Sequence, residues 1–180
     1  LIAIPLVAAE FGEYTPKVSD ELAKQPAPRM PDGKPDLSGP WVGGGSNQDI
    51  EAQGGLKPGE LPLLPWAKML REARKEDDEP YLYCTPMSVP RMNPYPWRFV
   101  QSYTSKGAST IFIIHENGDA GAVRQIFMDG RKHPDPSVML PTWWGHSVGH
   151  WEGDTLVIDT VGYNDKFWFD SRGTPHTEQL

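Results

Sequence analysis

Five histidines, a run of C-terminal carboxylates and one cysteine are the residues of this chain whose chemistry could be put to work. His146 and His150 are four residues apart, the spacing at which a helix would present two imidazoles to one zinc ion. They lie in an extended run, however, where that separation is about 13 Å at ~3.3 Å per residue, too far to share a metal. On a strand they point to one face and would line one wall of a cavity beside Trp144 and Val148, with Trp143 and Trp151 opposite. Asp129, Arg131 and His133 fall in or just after a turn, with Asp154 at the next one. Turn aspartates commonly bond their own backbone. His133, flanked by Pro134 and Pro136 in a rigid loop, carries an imidazole, a group suited to general acid/base work.

Toward the C-terminus, Asp159, Asp165, Asp170, His176 and Glu178 gather carboxylates around an imidazole. A carboxylate that orients a histidine is the elementary unit of acid/base catalysis, and the same set could ligate a metal. The candidate catalytic residues are therefore His133, His176, Asp170 and Glu178, and the candidate ligand-binding residues are Trp144, His146, His150, Trp41 and Arg131. No set of metal ligands is assigned, and the residues leave the cofactor open. Nucleophile elbow, zinc-protease, phosphate-loop and haem-attachment motifs are all missing. Cys84 is expected to be a buried structural thiol. As a single cysteine it forms no internal disulfide.

The elements that position these residues read mainly as strands. Extended runs are expected at 97–103, 110–116, 122–128, 143–151 and 155–161, with turns at Asn117-Gly118-Asp119, Asp129-Gly130 and Glu152-Gly153-Asp154. Consecutive antiparallel hairpins imply a meander that forms an open or closed β-barrel within residues 80–180. One helical unit is expected at 65–79. Pro65 suits its first turn, Trp66, Met69, Leu70 and Ala73 recur at helical spacing, and Lys68, Arg71, Glu72, Arg74 and Lys75 take the wetter side. Glu76-Asp77-Asp78-Glu79 before Pro80 reads as a solvated charge run that ends it. Residues 10–64, rich in proline and glycine, read as an extended arm along a surface, within which residues 37–42 could start a short strand.

The chain has 180 residues, 18 glycines, 19 prolines and a formal net charge of −7. One domain with long arms fits that length. The acidic balance and lack of a Lys/Arg stripe argue against nucleic-acid binding. The apolar residues 1–9 fall far short of the roughly 20 needed to span a bilayer, so no transmembrane span is expected. They read as the remnant of a secretory signal peptide, with Val7-Ala8-Ala9 as a cleavage site, or as an apolar arm.

Four motifs in order, Pro31-Asp32-Gly33-Lys34-Pro35-Asp36-Leu37-Ser38-Gly39, Cys84 to Arg91, Asp129-Gly130-Arg131-Lys132-His133-Pro134 and Gly149-His150-Trp151-Glu152-Gly153-Asp154-Thr155-Leu156-Val157-Ile158-Asp159-Thr160, resemble a largely uncharacterised family of exported bacterial proteins. The resemblance implies a periplasmic or secreted location and a β-rich architecture, and it carries over no catalytic residue. Gly39-Pro40-Trp41 also resembles the Gly-x-Trp of lipocalins, in which the tryptophan closes one barrel end. In the exported family further strands follow the Pro175 to Glu178 segment, whereas this chain stops at Leu180. That implies either a truncated form or a partner strand that completes the sheet.

These readings converge on an exported, lipocalin-like barrel that binds a small apolar or aromatic molecule. A hydrolase, lyase or isomerase with a His/carboxylate site is the reading from a different class. An accessory subunit of a periplasmic or membrane-associated complex, docked through the arm or an open sheet edge, is the third.

Overall fold

The computed structural model describes residues 19–41, 49–89, 91–116 and 122–179. The apolar residues 1–9, the glycines at 43–45 and the turn at 117–119 lie outside the described residues. Six strands form one sheet in sequence order: β1 (Gly39–Trp41), β2 (Trp97–Thr104), β3 (Gly107–His115), β4 (Val123–Phe127), β5 (His146–Glu152) and β6 (Thr155–Val161). The runs expected at 97–103 and 155–161 are β2 and β6, and the short strand expected within 37–42 is β1. Their β-branched and aromatic residues favour an extended chain, and the Glu152–Thr155 pairing closes β5 on β6 with Gly153 at φ 61°, as a two-residue hairpin loop requires.

The meander departs from expectation between β4 and β5, which run parallel, with Ile126 opposite Ser147 and Phe127 opposite Val148. A tight turn at Asp129-Gly130 would have made a hairpin. The chain turns there, with Gly130 at φ 78°, but residues 128–145 continue as a proline-punctuated connection that returns β5 in the same direction as β4. A parallel pair needs a connection of that kind. Among the described residues the sheet is open, with β1 and β6 each paired on one side only.

Strand alternation divides the sheet into two faces. The inner face packs Ile111, Ile113 and Ile126 with Trp97, Phe99, Met128, Leu156 and Ile158. A second cluster of Met87, Met92 and Ala122 adjoins Tyr81, Tyr95 and Trp144. Gly149 lets the two halves of the sheet meet. A Cβ there would stand 2.6 Å from Met128 Sδ and 2.8 Å from Ile126 Cγ2, inside van der Waals contact.

The segment before β2 is more than an extended arm. Two short helices, α1 (Asp20–Ala23) and α2 (Ile50–Gln53), interrupt it. Arg29 makes a bidentate pair with Asp154 at 2.6 Å to each oxygen, and Lys34 Nζ donates to the Gly153 carbonyl at 3.2 Å. The Pro-Asp-Gly-Lys-Pro motif is thus clipped to the tip of the β5–β6 hairpin, and the Asp154 carboxylate is taken by a distant guanidinium instead of its own turn backbone.

Helix α3 (Pro65–Ala73) stops five residues before Asp78, and a separate 3-10 turn covers Glu76–Asp78. Its orientation reverses the expected one. Trp66, Met69 and Leu70 are exposed, Met69 at 66%, while Ala67 faces the body of the protein and the guanidiniums hold the helix down. Arg74 donates to the Gly173 carbonyl at 2.7 Å and lies 5.0 Å from the Trp168 ring centroid. Specific charge-assisted anchors on the polar side outweigh burial of a narrow apolar stripe. The charge run also splits: Glu76, Asp77 and Asp78 are solvated, but Glu79 is buried against Arg91.

Candidate functional site

The outer face of β5 and β6 carries the chemistry. Antiparallel register places His146 opposite Val161 and Val148 opposite Asp159, so His146 and Asp159 project to the same side. The 128–145 connection then passes over them. Asp129 takes Arg131 Nε at 2.9 and 3.0 Å, and this pairing seats the guanidinium carbon 3.8 Å from the Phe127 ring centroid. Beyond that turn, ahead of Pro134 and Pro136, His133 reaches both strands. Its Nδ1 lies 2.9 Å from His146 Nδ1, and its Nε2 lies 3.2 Å from Asp159 Oδ2. The His146 ring stacks on Phe127 with centroids 5.1 Å apart.

Hydrogen-bond chemistry assigns the protons. A carboxylate only accepts, so His133 Nε2 donates to Asp159; neutral His133 then accepts at Nδ1, and His146 Nδ1 donates. That leaves the lone pair of His146 Nε2 free to take a proton from a substrate. Once it does, the charge can pass through the Nδ1 contact to His133, whose far N–H faces the carboxylate. Burial, then His133, then Arg131, holds the His146 pKa below its ordinary value, so this base is unprotonated at neutral pH. The His133 side chain is 19% exposed and that of Asp159 69%, which makes the histidine the ordered member of the chain and the carboxylate a solvated one.

Most of the other candidates go elsewhere. His150 shares the face of His146, but its side chain is 61% exposed and its Nε2 pairs with Glu152 at 3.0 Å. Trp144 does not share a wall with His146. Gly145 has φ 63°, which ends the alternation before β5 begins, and a Cβ there would meet the Val161 carbonyl at 2.7 Å. Trp144 therefore stacks on His115, centroids 5.8 Å apart. Trp41 donates from Nε1 to the Leu37 carbonyl at 2.7 Å and meets Phe99 edge-on. Of the five expected ligand-binding residues, only His146 and Arg131 come together, on Phe127.

The C-terminal set is likewise separated. Asp170 is buried, and its oxygens accept from the backbone of Ile50, Arg172 and Thr174 and from the Thr174 hydroxyl; it organises a loop. His176 packs on Phe167 and Phe169, with centroids 4.1 and 4.5 Å away, and burial pushes its pKa down. Glu178 is exposed. The carboxylate that His133 uses is Asp159, from another element. Cys84 is exposed, not buried, because it caps the 3-10 turn Pro80–Tyr83 in the left-handed region at φ 60°. Among the described residues no group of three or more His, Cys, Asp or Glu side chains could hold a metal ion.

Sequence reasoning passed over His115, although Ile111, Ile113 and His115 alternate onto the inner face of β3. It is buried between Trp97 and Trp144, and among the described residues neither of its ring nitrogens has a hydrogen-bond partner; Trp144 Nε1 is also buried without one among them. Desolvation and Arg124 lower its pKa to about 4. At pH above 6.5 the imidazole is neutral in both the folded and unfolded chain. Between 6.5 and 4 the unfolded chain takes a proton that the fold refuses, so stability is lost as pH falls through that window. At 1.36 kcal/mol per unit the loss is at most about 3 kcal/mol. Urea midpoints at pH 7.5 and 4.5 should therefore converge in His115→Phe relative to the parent; an unchanged gap would contradict this assignment.

Comparison of the chain with protein-family models, curated proteins and solved structures finds no match.

Proposed function

We propose that the protein is an acid/base enzyme of the hydrolase, lyase or isomerase type, in which His146 Nε2 exchanges a proton with the substrate, His133 relays it and Asp159 orients His133. The observation that carries this reading is the continuous chain Asp159–His133–His146, held at 3.2 and 2.9 Å. Phe127, stacked on His146, favours a substrate with an apolar or aromatic part beside its reacting group. The test is turnover of a panel of aryl esters, β-hydroxy carbonyl compounds and enolisable ketones by the parent protein, with His146→Gln as the site variant and His150→Gln as the exposed control. Turnover that needs His146 and tolerates His150→Gln supports the reading. No turnover above the blank, or equal turnover by His146→Gln, overturns it.

A second reading, binding of a small and partly apolar molecule on the inner face, draws on the unpartnered nitrogens of His115 and Trp144. Buried polar groups without partners are rare and costly, and a hydrogen-bonding ligand between aromatic walls would satisfy them. Titration with an aromatic carboxylate, benzoate, should quench tryptophan emission saturably in the parent and not in His115→Phe. Unsaturable quenching, or the same curve in both, would exclude this site.

A further inference from the structure

Strands β2 to β6 bring one formal charge to the inner face of the sheet. Alternation with Ile126, and pairing opposite Ile113, put Arg124 on that face. The other formally charged residues of these strands, Arg98, Glu152 and Asp159, fall on the outer face, one position away from Phe99, Trp151 and Ile158. Arg124 is half-buried, and among the described residues no carboxylate lies within ion-pair distance of it. Its Nε donates to Ser147 Oγ at 3.2 Å and its Nη2 to Thr160 Oγ1 at 2.5 Å. Both acceptors are neutral hydroxyls, so they fix the guanidinium in place without balancing its charge, and the fork carries more donors than they use. A cation drawn partly out of water with no counter-charge is costly.

The groups around it are donors and apolar walls. Trp144 Nε1, buried without a hydrogen-bond partner among the described residues, can only donate. His115 is 6% exposed and close enough to Arg124 for the guanidinium to depress its pKa; as a neutral imidazole it adds a further N–H without a partner among these residues. Trp97, Phe99, Leu156 and Ile158 are only half-buried on the same face and offer apolar surface to the body of a ligand. Unpaired donors require an acceptor, and the guanidinium requires a negative charge. One cation among apolar side chains balances a single negative charge, whereas a phosphate dianion would carry an uncompensated charge onto the same face.

Resting on the inner-face reading above, we propose that the ligand of this face is a monocarboxylate with an apolar body, its carboxylate taken by Arg124 and its body lying against Trp97 and Phe99. The planar fork of a guanidinium matches the paired oxygens of a carboxylate. Calorimetric titration of the full chain with benzoate against benzamide, and with octanoate against octanamide, changes the charge at nearly constant shape and distinguishes an aryl from an alkyl body. At least one acid is expected to saturate, with an affinity about tenfold or more above that of its amide, as a charge-assisted hydrogen bond provides. Arg124→Gln should bring the acid down to its amide and leave the amide unmoved, whereas Arg98→Gln, on the outer face, should keep the acid's advantage. An amide that binds the parent as tightly as its acid overturns the carboxylate and leaves the inner-face reading standing, and that comparison does not depend on whether Arg124→Gln folds. An acid preference that persists in folded Arg124→Gln overturns the role of Arg124. If neither acids nor amides saturate at millimolar concentration, the inner-face reading falls with the carboxylate.

Discussion

Replacing His146 by Gln is expected to slow the proton-transfer step by about 10²–10⁴-fold, the range that a positioned acid/base group contributes. Gln keeps a polar side chain near His133 but supplies no basic nitrogen. His133→Phe should also be costly, because it removes the relay and leaves the His146 tautomer unspecified. Asp159→Asn should cost less, since Asp159 is mostly solvated and its hold on His133 is screened by water. The pH profile adds a test that a merely structural histidine would not pass. Because the His146 pKa lies below its ordinary 6.5, activity should fall on the acid side only below that value. Arg131→Gln removes one of the cations that hold the pKa down, and should shift the acidic limb upward. A limb that stays in place in Arg131→Gln, on a measured pH–kcat/KM curve, would remove His146 from the role of base.

Replacing Arg91 by Ala should lower stability by about 3–5 kcal/mol, because it leaves the Glu79 carboxylate buried and unpaired. Both members of the pair are buried, and Arg91 Nη2 also meets Ser171 Oγ at 3.2 Å. One guanidinium thus joins the segment after α3 to the loop around Ser171. For a domain whose total stability is of order 5–15 kcal/mol, that loss would leave much of the population unfolded near physiological temperature. The double variant Glu79→Leu/Arg91→Met should recover most of the deficit, since apolar replacement of a whole buried pair is often neutral. Urea unfolding of the single and double variants measures both effects. A single-variant loss below about 1 kcal/mol would mean that the pair is solvated in solution.

The resemblance motifs acquire physical meaning once their partners are known. Arg29 and Lys34 clip the first motif to Asp154 and Gly153 of the last. Arg91, the final residue of the second, anchors the buried pair. The third bends at Gly130, seats Arg131 on Phe127 and delivers His133 to His146. Each motif could be read as a turn or a punctuated loop from its own residues. None disclosed which distant atom it would meet.

The same division runs through the elements and the site. β2, β6 and the hairpin at Gly153 were legible because extension, alternation and turn formation depend on neighbours along the chain. His133, His146 and Asp159 were each legible as titratable groups near strands or turns. Their union was not, because Asp159 falls by sequence among the C-terminal carboxylates around His176, 26 residues from His133. The parallel β4–β5 pairing, the outward apolar face of α3, the burial of Glu79 and the exposure of Cys84 belong with that union. Local sequence alone therefore determined which residues extend, which turn and which can carry a proton. Tertiary structure decided which of them touch, because the meeting of positions 133, 146 and 159 depends on strand register and on the path of a long connection, neither of which is encoded in the spacing between the residues that meet.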